Sequence, residues 1–124
     1  MIHHSSLEIT RDGADAEIAF WVLLGYAEIP APAGGPDTRS RWLRDTLDDR
    51  PQACQIHLLF EDEPTVPTRA HVAIVRPAYD VTLAVLRDAG LEVVDRERFW
   101  ESPRAFVRSP AGHRVEVMAF APRR

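Results

Sequence analysis

The chain is poor in cysteine: Cys54 is the only one. A single thiol cannot close an internal disulfide, so a disulfide-stapled secreted domain is excluded. Cys54 flanks an apolar run with no motif around it, and reads as a small buried hydrophobe rather than a nucleophile. No apolar stretch approaches the roughly 20 residues that a membrane-spanning helix needs, so no membrane partner is expected. The opening Met1-Ile2-His3-His4 has no basic region followed by an apolar segment; no signal peptide is read there, and the expected location is the cytoplasm. A basic surplus is also lacking. The net charge is −4 and the pI about 5.7, which argues against a nucleic-acid partner, because phosphate binding needs a positive face. Arginine carries the positive charge, and Arg123-Arg124 is too short to be a nucleic-acid arm.

What is present is enough for a core. Hydrophobic residues make up 45% of the 124 and charged residues 27%, which excludes global disorder and predicts one domain of ordinary size. The chain runs through one order of events twice. A strand spans His4 to Ile9, and Asp12-Gly13 starts a helix over Ala14–Leu24, with Ile18, Trp21, Val22 and Gly25 on one face. Gly25 is placed to end that helix. A short strand over Tyr26–Pro30 leads into the loop Ala31–Asp37. A weak strand at Arg41–Asp45, the turn Asp48–Pro51 and a strong strand over Gln55–Glu61 follow. After the Pro-containing linker Asp62–Thr68, a strand starts at His71 and ends at Val75. Pro77 opens a helix over Ala78–Ala89 with Val81, Leu83, Val85 and Leu86 apolar, and Gly90 ends it. Strands over Leu91–Glu97, Ala105–Arg108 and His113–Phe120 complete the second half, the last two joined by the turn Ser109–Gly112. The spacing predicts an α+β fold of two βαβββ modules, about residues 1–62 and 69–122, with curved mixed sheets around a cavity and helices outside.

Within this repeat His4 corresponds to His71, Gly25 to Gly90 and His57 to Glu116, each pair roughly sixty to seventy residues apart. His4, His57, His71 and Glu116 all sit in or beside apolar strand runs. Three imidazoles and a carboxylate are a ligand set suited to a divalent metal such as Zn, Ni, Fe or Mn, provided the fold brings them together. The bland alternative is a strand histidine satisfied by an ordinary hydrogen bond, the reading given to His3. His113, in a turn, is expected to be solvent-exposed. Trp42, Trp100 and Phe106 are candidates either for a substrate pocket or for plain core. Arg41, Arg44, Arg98 and Arg104 are read as anchors for an anionic substrate or as a solvated face. Glu8 and Glu61 share strand parity with His4 and His57 and are candidates to orient an imidazole.

The layout resembles the vicinal oxygen chelate superfamily, which includes glyoxalases, bleomycin-resistance proteins, fosfomycin-resistance enzymes and extradiol dioxygenases. The marks are His3-His4 opening the first strand, Phe20-Trp-Val-Leu-Leu-Gly-Tyr26, Ala70-His-Val-Ala-Ile74, and above all Ser109-Pro-Ala-Gly-His-Arg-Val-Glu-Val117. The last is similar to the family's Asp-Pro-x-Gly-Asn turn leading to a glutamate ligand, with Ser109 in place of Asp and His113 in place of Asn. The resemblance implies metal ligands at His4, His57, His71 and Glu116, with Glu116 doubling as the catalytic general base. It implies a metal-dependent lyase or isomerase of glyoxalase type acting on a small oxygenated substrate through adjacent oxygens. The alternatives are a metal-free protein of bleomycin-resistance type that binds an antibiotic-like small molecule, and a dioxygenase. A homodimer is implied as well.

Overall fold

A computed structural model describes residues 2–32, 38–50, 54–98 and 100–123. Residues 33–37 of the expected loop, Pro51 of the expected turn and Arg124 lie outside the described residues. The chain folds as two compact units, Met1–Val66 and Pro67–Arg124. The first contains β1 (His4–Ile9), α1 (Ala14–Leu23), β2 (Tyr26–Ile29), β3 (Ser40–Asp45) and β4 (Gln55–Phe60). The second contains β5 (Val72–Val75), α2 (Tyr79–Asp88), β6 (Val93–Arg96), β7 (Arg104–Arg108) and β8 (Arg114–Met118). Each unit is therefore a βαβββ module. Its four strands form one mixed sheet, ordered β1-β4-β3-β2 in the first and β5-β8-β7-β6 in the second. The first strand of each sheet runs parallel to the last, and the other pairings are antiparallel. Neither sheet closes into a barrel.

Strand alternation gives each sheet a core face and a second face. In the first unit Ile9, Tyr26, Leu43, Ile56 and Leu58 are buried together with Phe20, Trp21 and Leu24 of the α1 region. In the second, Ile74, Ala105, Val107, Val115 and Val117 are buried with Tyr79, Leu83 and Leu86 of α2. Full burial of a side chain as large as Trp21 or Leu86 contributes about 2–3 kcal/mol. The helix faces differ from the expected ones. In α1 the buried positions are Ala14, Glu17, Phe20 and Trp21, while Val22 is exposed. In α2, Val81 and Val85 are exposed and Tyr79 is buried instead. The α1 helix is apolar around most of its girth, so its sequence pattern does not single out a stripe, whereas the buried residues of α2 follow helical spacing at Tyr79, Leu83 and Leu86.

Both helices end where expected. Gly25 has φ +96° and Gly90 φ +83°, a left-handed conformation that side chains with a Cβ adopt at a cost. Their N–H groups donate to the carbonyls of Val22 and Arg87. The β7–β8 turn departs from expectation in one respect: His113 is buried, not solvent-exposed. The Ser109 hydroxyl accepts from the His113 N–H at 3.1 Å, and the Ser109 N–H donates to the His113 carbonyl at 2.8 Å. Ser109 thus closes this turn with its short oxygen, and His113 is folded in behind it.

Candidate functional site

The register pairs of the two sheets match position for position. Ser6 of β1 lies opposite His57 of β4, and His57 lies opposite Trp42 of β3. Ala73 of β5 lies opposite Glu116 of β8, and Glu116 lies opposite Phe106 of β7. His4 stands two residues before Ser6, and His71 two before Ala73. His57 and Glu116 are therefore equivalent by register, as the order of the sequence implies. By alternation all these side chains project on the face away from the helix, together with Gln55 and Leu59 in the first unit.

In the first unit the histidines form an aromatic group. The His57 ring stacks on Trp42 with centroids 3.8 Å apart and planes 13° from parallel. His4 meets Trp42 edge-on at 4.9 Å and His57 at 5.7 Å. His3 and His4 approach through Nδ1 at 2.9 Å. Trp42 is buried beneath these rings. Glu8 accepts a hydrogen bond from the Thr65 N–H, and Glu61 is exposed.

In the second unit the arrangement is polar. The His71 ring meets Phe106 edge-on at 5.0 Å, the same contact that His4 makes with Trp42. Nδ1 of His71 lies 2.8 Å from the Arg69 carbonyl oxygen. A carbonyl only accepts, so Nδ1 carries the proton and donates. Nε2 then faces Glu116 Oε2 at 3.0 Å. In a neutral ring that nitrogen has a lone pair, and two lone pairs would converge. A proton on either atom makes this an ordinary hydrogen bond, and a shared cation is the other way to fill the gap; a separation of 3.0 Å fits both. Glu116 is buried, and its other oxygen accepts from Arg104 Nη1 at 3.0 Å. Arg104 Nε donates to the Glu97 carbonyl, which fixes the guanidinium.

His4 and His57 are thus brought together in one unit, and His71 and Glu116 in the other. Within either unit, the described residues include no group of three or more His, Cys, Asp or Glu placed to hold an ion. Phe106 lines an open cleft of about 1030 Å³ with His71, Arg69, Arg96, Arg104 and Arg114. Trp100 lies beside Arg104, whose guanidinium carbon is 5.7 Å from the indole ring. The buried Trp100 Nε1 has no acceptor among the described residues.

The arginines sort differently from the expectation. Arg41 is bound to Glu28 and Asp15, which raises its own pKa, chiefly through the Glu28 hydrogen bond, and removes it from substrate anchoring. Arg44 donates to the carbonyls of Asp48 and Arg50, and Arg98 is exposed in a loop. Arg69, Arg96 and Arg114, not singled out in the sequence, line the second-unit cleft beside Arg104, and Arg108 lines an adjoining cavity. Their signal was alternation: Arg104-x-Phe106-x-Arg108 and Arg114-x-Glu116 place charge on one face of otherwise apolar strands. Cys54 is half-buried, and its thiol is pushed up by burial first and then by the Asp48 carboxylate, to which Sγ donates at 3.0 Å. That is a poor setting for a thiolate nucleophile.

Two βαβββ modules, with a histidine at or just before the first strand of each, define the class: an α+β fold of duplicated four-stranded sheets. Solved structures similar to this chain are members of the vicinal oxygen chelate superfamily. A glyoxalase family protein from Bacillus anthracis matches with a TM-score of 0.80 at 25% identity, covering 95% of this chain and 93% of that one. The fosfomycin resistance protein FosX from Listeria monocytogenes matches with a TM-score of 0.72 at 17% identity over 98% of this chain and 90% of that one, in a complex of its E126Q mutant with Mn(II) and 1S,2S-dihydroxypropylphosphonic acid. A glyoxalase/dioxygenase from Nostoc punctiforme matches at 0.70 and 18% identity, over 95% and 89%. No protein-family model matches the chain. No curated protein matches it either. The superfamily includes metalloenzymes; the likeness in fold does not choose among their reactions.

Proposed function

We propose that the chain is a metal-dependent lyase or isomerase of glyoxalase type, acting on a small oxygenated molecule. The proposed ligands are His71 and Glu116 in the second unit and His4 and His57 in the first. The observation that carries this reading is the His71–Glu116 contact: a ring already donating through Nδ1 presents Nε2 to a carboxylate oxygen 3.0 Å away. A bound divalent ion such as Zn, Ni, Fe or Mn would supply Lewis acidity toward two adjacent oxygens of the substrate.

The chain's own groups prepare that chemistry. The Arg69 carbonyl sets the His71 tautomer and ring orientation. Arg104 holds Oε1 of Glu116, which leaves Oε2 directed at His71. Oε2, a proposed ligand at rest, would take a proton from a substrate carbon once released from the ion, so Glu116 is the proposed general base. Phe106 supplies an apolar wall beside it. A homodimer in the cytoplasm is part of the same proposal.

A second reading has its own support. The Arg104 ion pair already satisfies half of Glu116, and His57 lies flat on Trp42 as a wall would. These features favour a metal-free protein that binds a flat small molecule. Elemental analysis of protein purified without chelator separates the two. The enzyme reading expects stoichiometric divalent metal in the natural chain and its loss in His71→Ala and Glu116→Gln. Metal absent after reconstitution with Zn, Ni, Mn and Fe would overturn it and leave the binder.

A further inference from the structure

The second sheet sets arginine directly against arginine twice. Arg96 of β6 is paired with Arg104 of β7, and Arg108 of β7 with Arg114 of β8. Like charges directly opposite on one sheet face destabilise it. The two rungs flank the Phe106–Glu116 rung on the same face, and the guanidiniums of Arg96, Arg104 and Arg114 gather at the Phe106 ring. Arg114 lies 3.7 Å above the Phe106 centroid, Arg96 5.5 Å and Arg104 5.6 Å from it. The carboxylates of the chain, which outnumber its arginines by 19 to 15, do not neutralise this group. Among the described residues Arg69, Arg96, Arg108 and Arg114 form no ion pair, and Glu116 engages Arg104. Arg108 donates only to the carbonyls of Gly112 and Thr68.

Arg96, Phe106 and Arg114 line both the large cleft and an adjoining cavity of about 330 Å³. They are thus the part of the group that a bound molecule in either cavity touches.

We propose that Arg96 and Arg114, above Phe106, form a binding site for the acidic group of an organic anion, so that the substrate carries a carboxylate or phosphonate besides the oxygens presented to His71 and Glu116. This names the substrate class for the proposed enzyme and rests on that reading for the word substrate. The anion site itself stands on the arginine rungs and is tested without metal. Guanidinium offers two parallel donors to a planar carboxylate or to two phosphonate oxygens. Phe106 beneath them takes the apolar part of the molecule. Arg104 and Arg108 remain committed to Glu116 and to backbone carbonyls, and act as supports.

The test is calorimetric titration of EDTA-treated protein with benzoate, phenylphosphonate and neutral benzamide at low ionic strength, on the natural chain, on Arg96→Gln/Arg114→Gln and on the control Arg39→Gln. Expected is binding of at least one anion, no binding of benzamide, an at least tenfold loss in the double variant and no loss in the control. Benzoate and phenylphosphonate together show which acid is preferred. A second readout guards against a folding defect: relief of repulsion raises the ligand-free Tm of Arg114→Gln above that of the natural chain. Equal anion binding by the double variant, equal binding of benzamide, no anion binding at all, or a lowered Tm in Arg114→Gln would each overturn the proposal. Because metal is removed, failure here leaves the metal reading untouched, and metal loss in His71→Ala leaves this site untouched.

Discussion

At the scale of single residues, the second unit concentrates its chemistry on Glu116. One oxygen answers Arg104 and the other His71, both at 3.0 Å. The Arg104 side chain is 10% exposed and that of Glu116 7%, so this pair is shielded and its loss is costly. Arg104→Met leaves a buried carboxylate with one partner fewer. The variant is expected to lose roughly 2–4 kcal/mol of stability in metal-free protein. The loss is expected to shrink at saturating divalent metal, which would take over part of the charge. Urea denaturation with and without added metal checks both. An unchanged midpoint in metal-free protein would show the pair to be energetically idle. By contrast His4 and His57 are tied into rings rather than charges, and the same register positions thus carry different chemistry in the two units.

At the scale of elements, each helix stop depends on a glycine in the left-handed region. A Cβ at Gly90 would meet no atom within 4 Å, so only backbone strain opposes a side chain there. Gly90→Ala is expected to cost about 1–2 kcal/mol, read as a lowered denaturation midpoint, and a neutral result would contradict the assigned conformation. The β2–β3 pairing in the first unit is reinforced by Arg41, which grips Glu28 through Nε and Nη2 at 2.6 and 2.9 Å. That hydrogen bond lowers the Glu28 pKa, against a smaller opposing effect of burial. A depressed carboxyl contributes stability that is present above its ordinary value and disappears as pH falls through the folded value. Glu28 is 41% exposed, so screening holds the pair to about 0.5–1 kcal/mol. Glu28→Gln is expected to show that deficit at neutral pH and none in strong acid, in denaturation curves taken at both. A deficit independent of pH would mean that packing, not charge, is at stake.

At the scale of the whole molecule, the duplication was legible before any coordinates. Strand runs of alternating character, Gly25 and Gly90 after helical stretches, and histidines at matching intervals are local signals that survive folding unchanged. The equivalence of His57 with Glu116 was legible for the same reason, since it follows from order and spacing. Three features were not. The buried stripe of α1 was misread because Ile18 and Val22 are as apolar as the residues that do pack, and in α2 the apolar Val81 and Val85 are exposed. His113 was misread because the Ser109 hydroxyl closes a turn whose interior a linear pattern does not reveal. The arginine rungs were missed because Arg96, Arg104, Arg108 and Arg114 meet only through strand register, which sequence spacing leaves open. No helix among the described residues is long and apolar enough to cross a membrane, in keeping with the composition.

The most direct test of a metal held by His71 and Glu116 is anomalous diffraction from crystals grown with Mn(II) or Zn(II). The expected result is one strong peak about 2.0–2.2 Å from both His71 Nε2 and Glu116 Oε2, with the His71 Nδ1 bond to the Arg69 carbonyl intact. No peak at that position, with Nε2 and Oε2 still 3.0 Å apart in a simple hydrogen bond, would contradict the metal reading and leave a duplicated fold with an arginine-rimmed binding cleft.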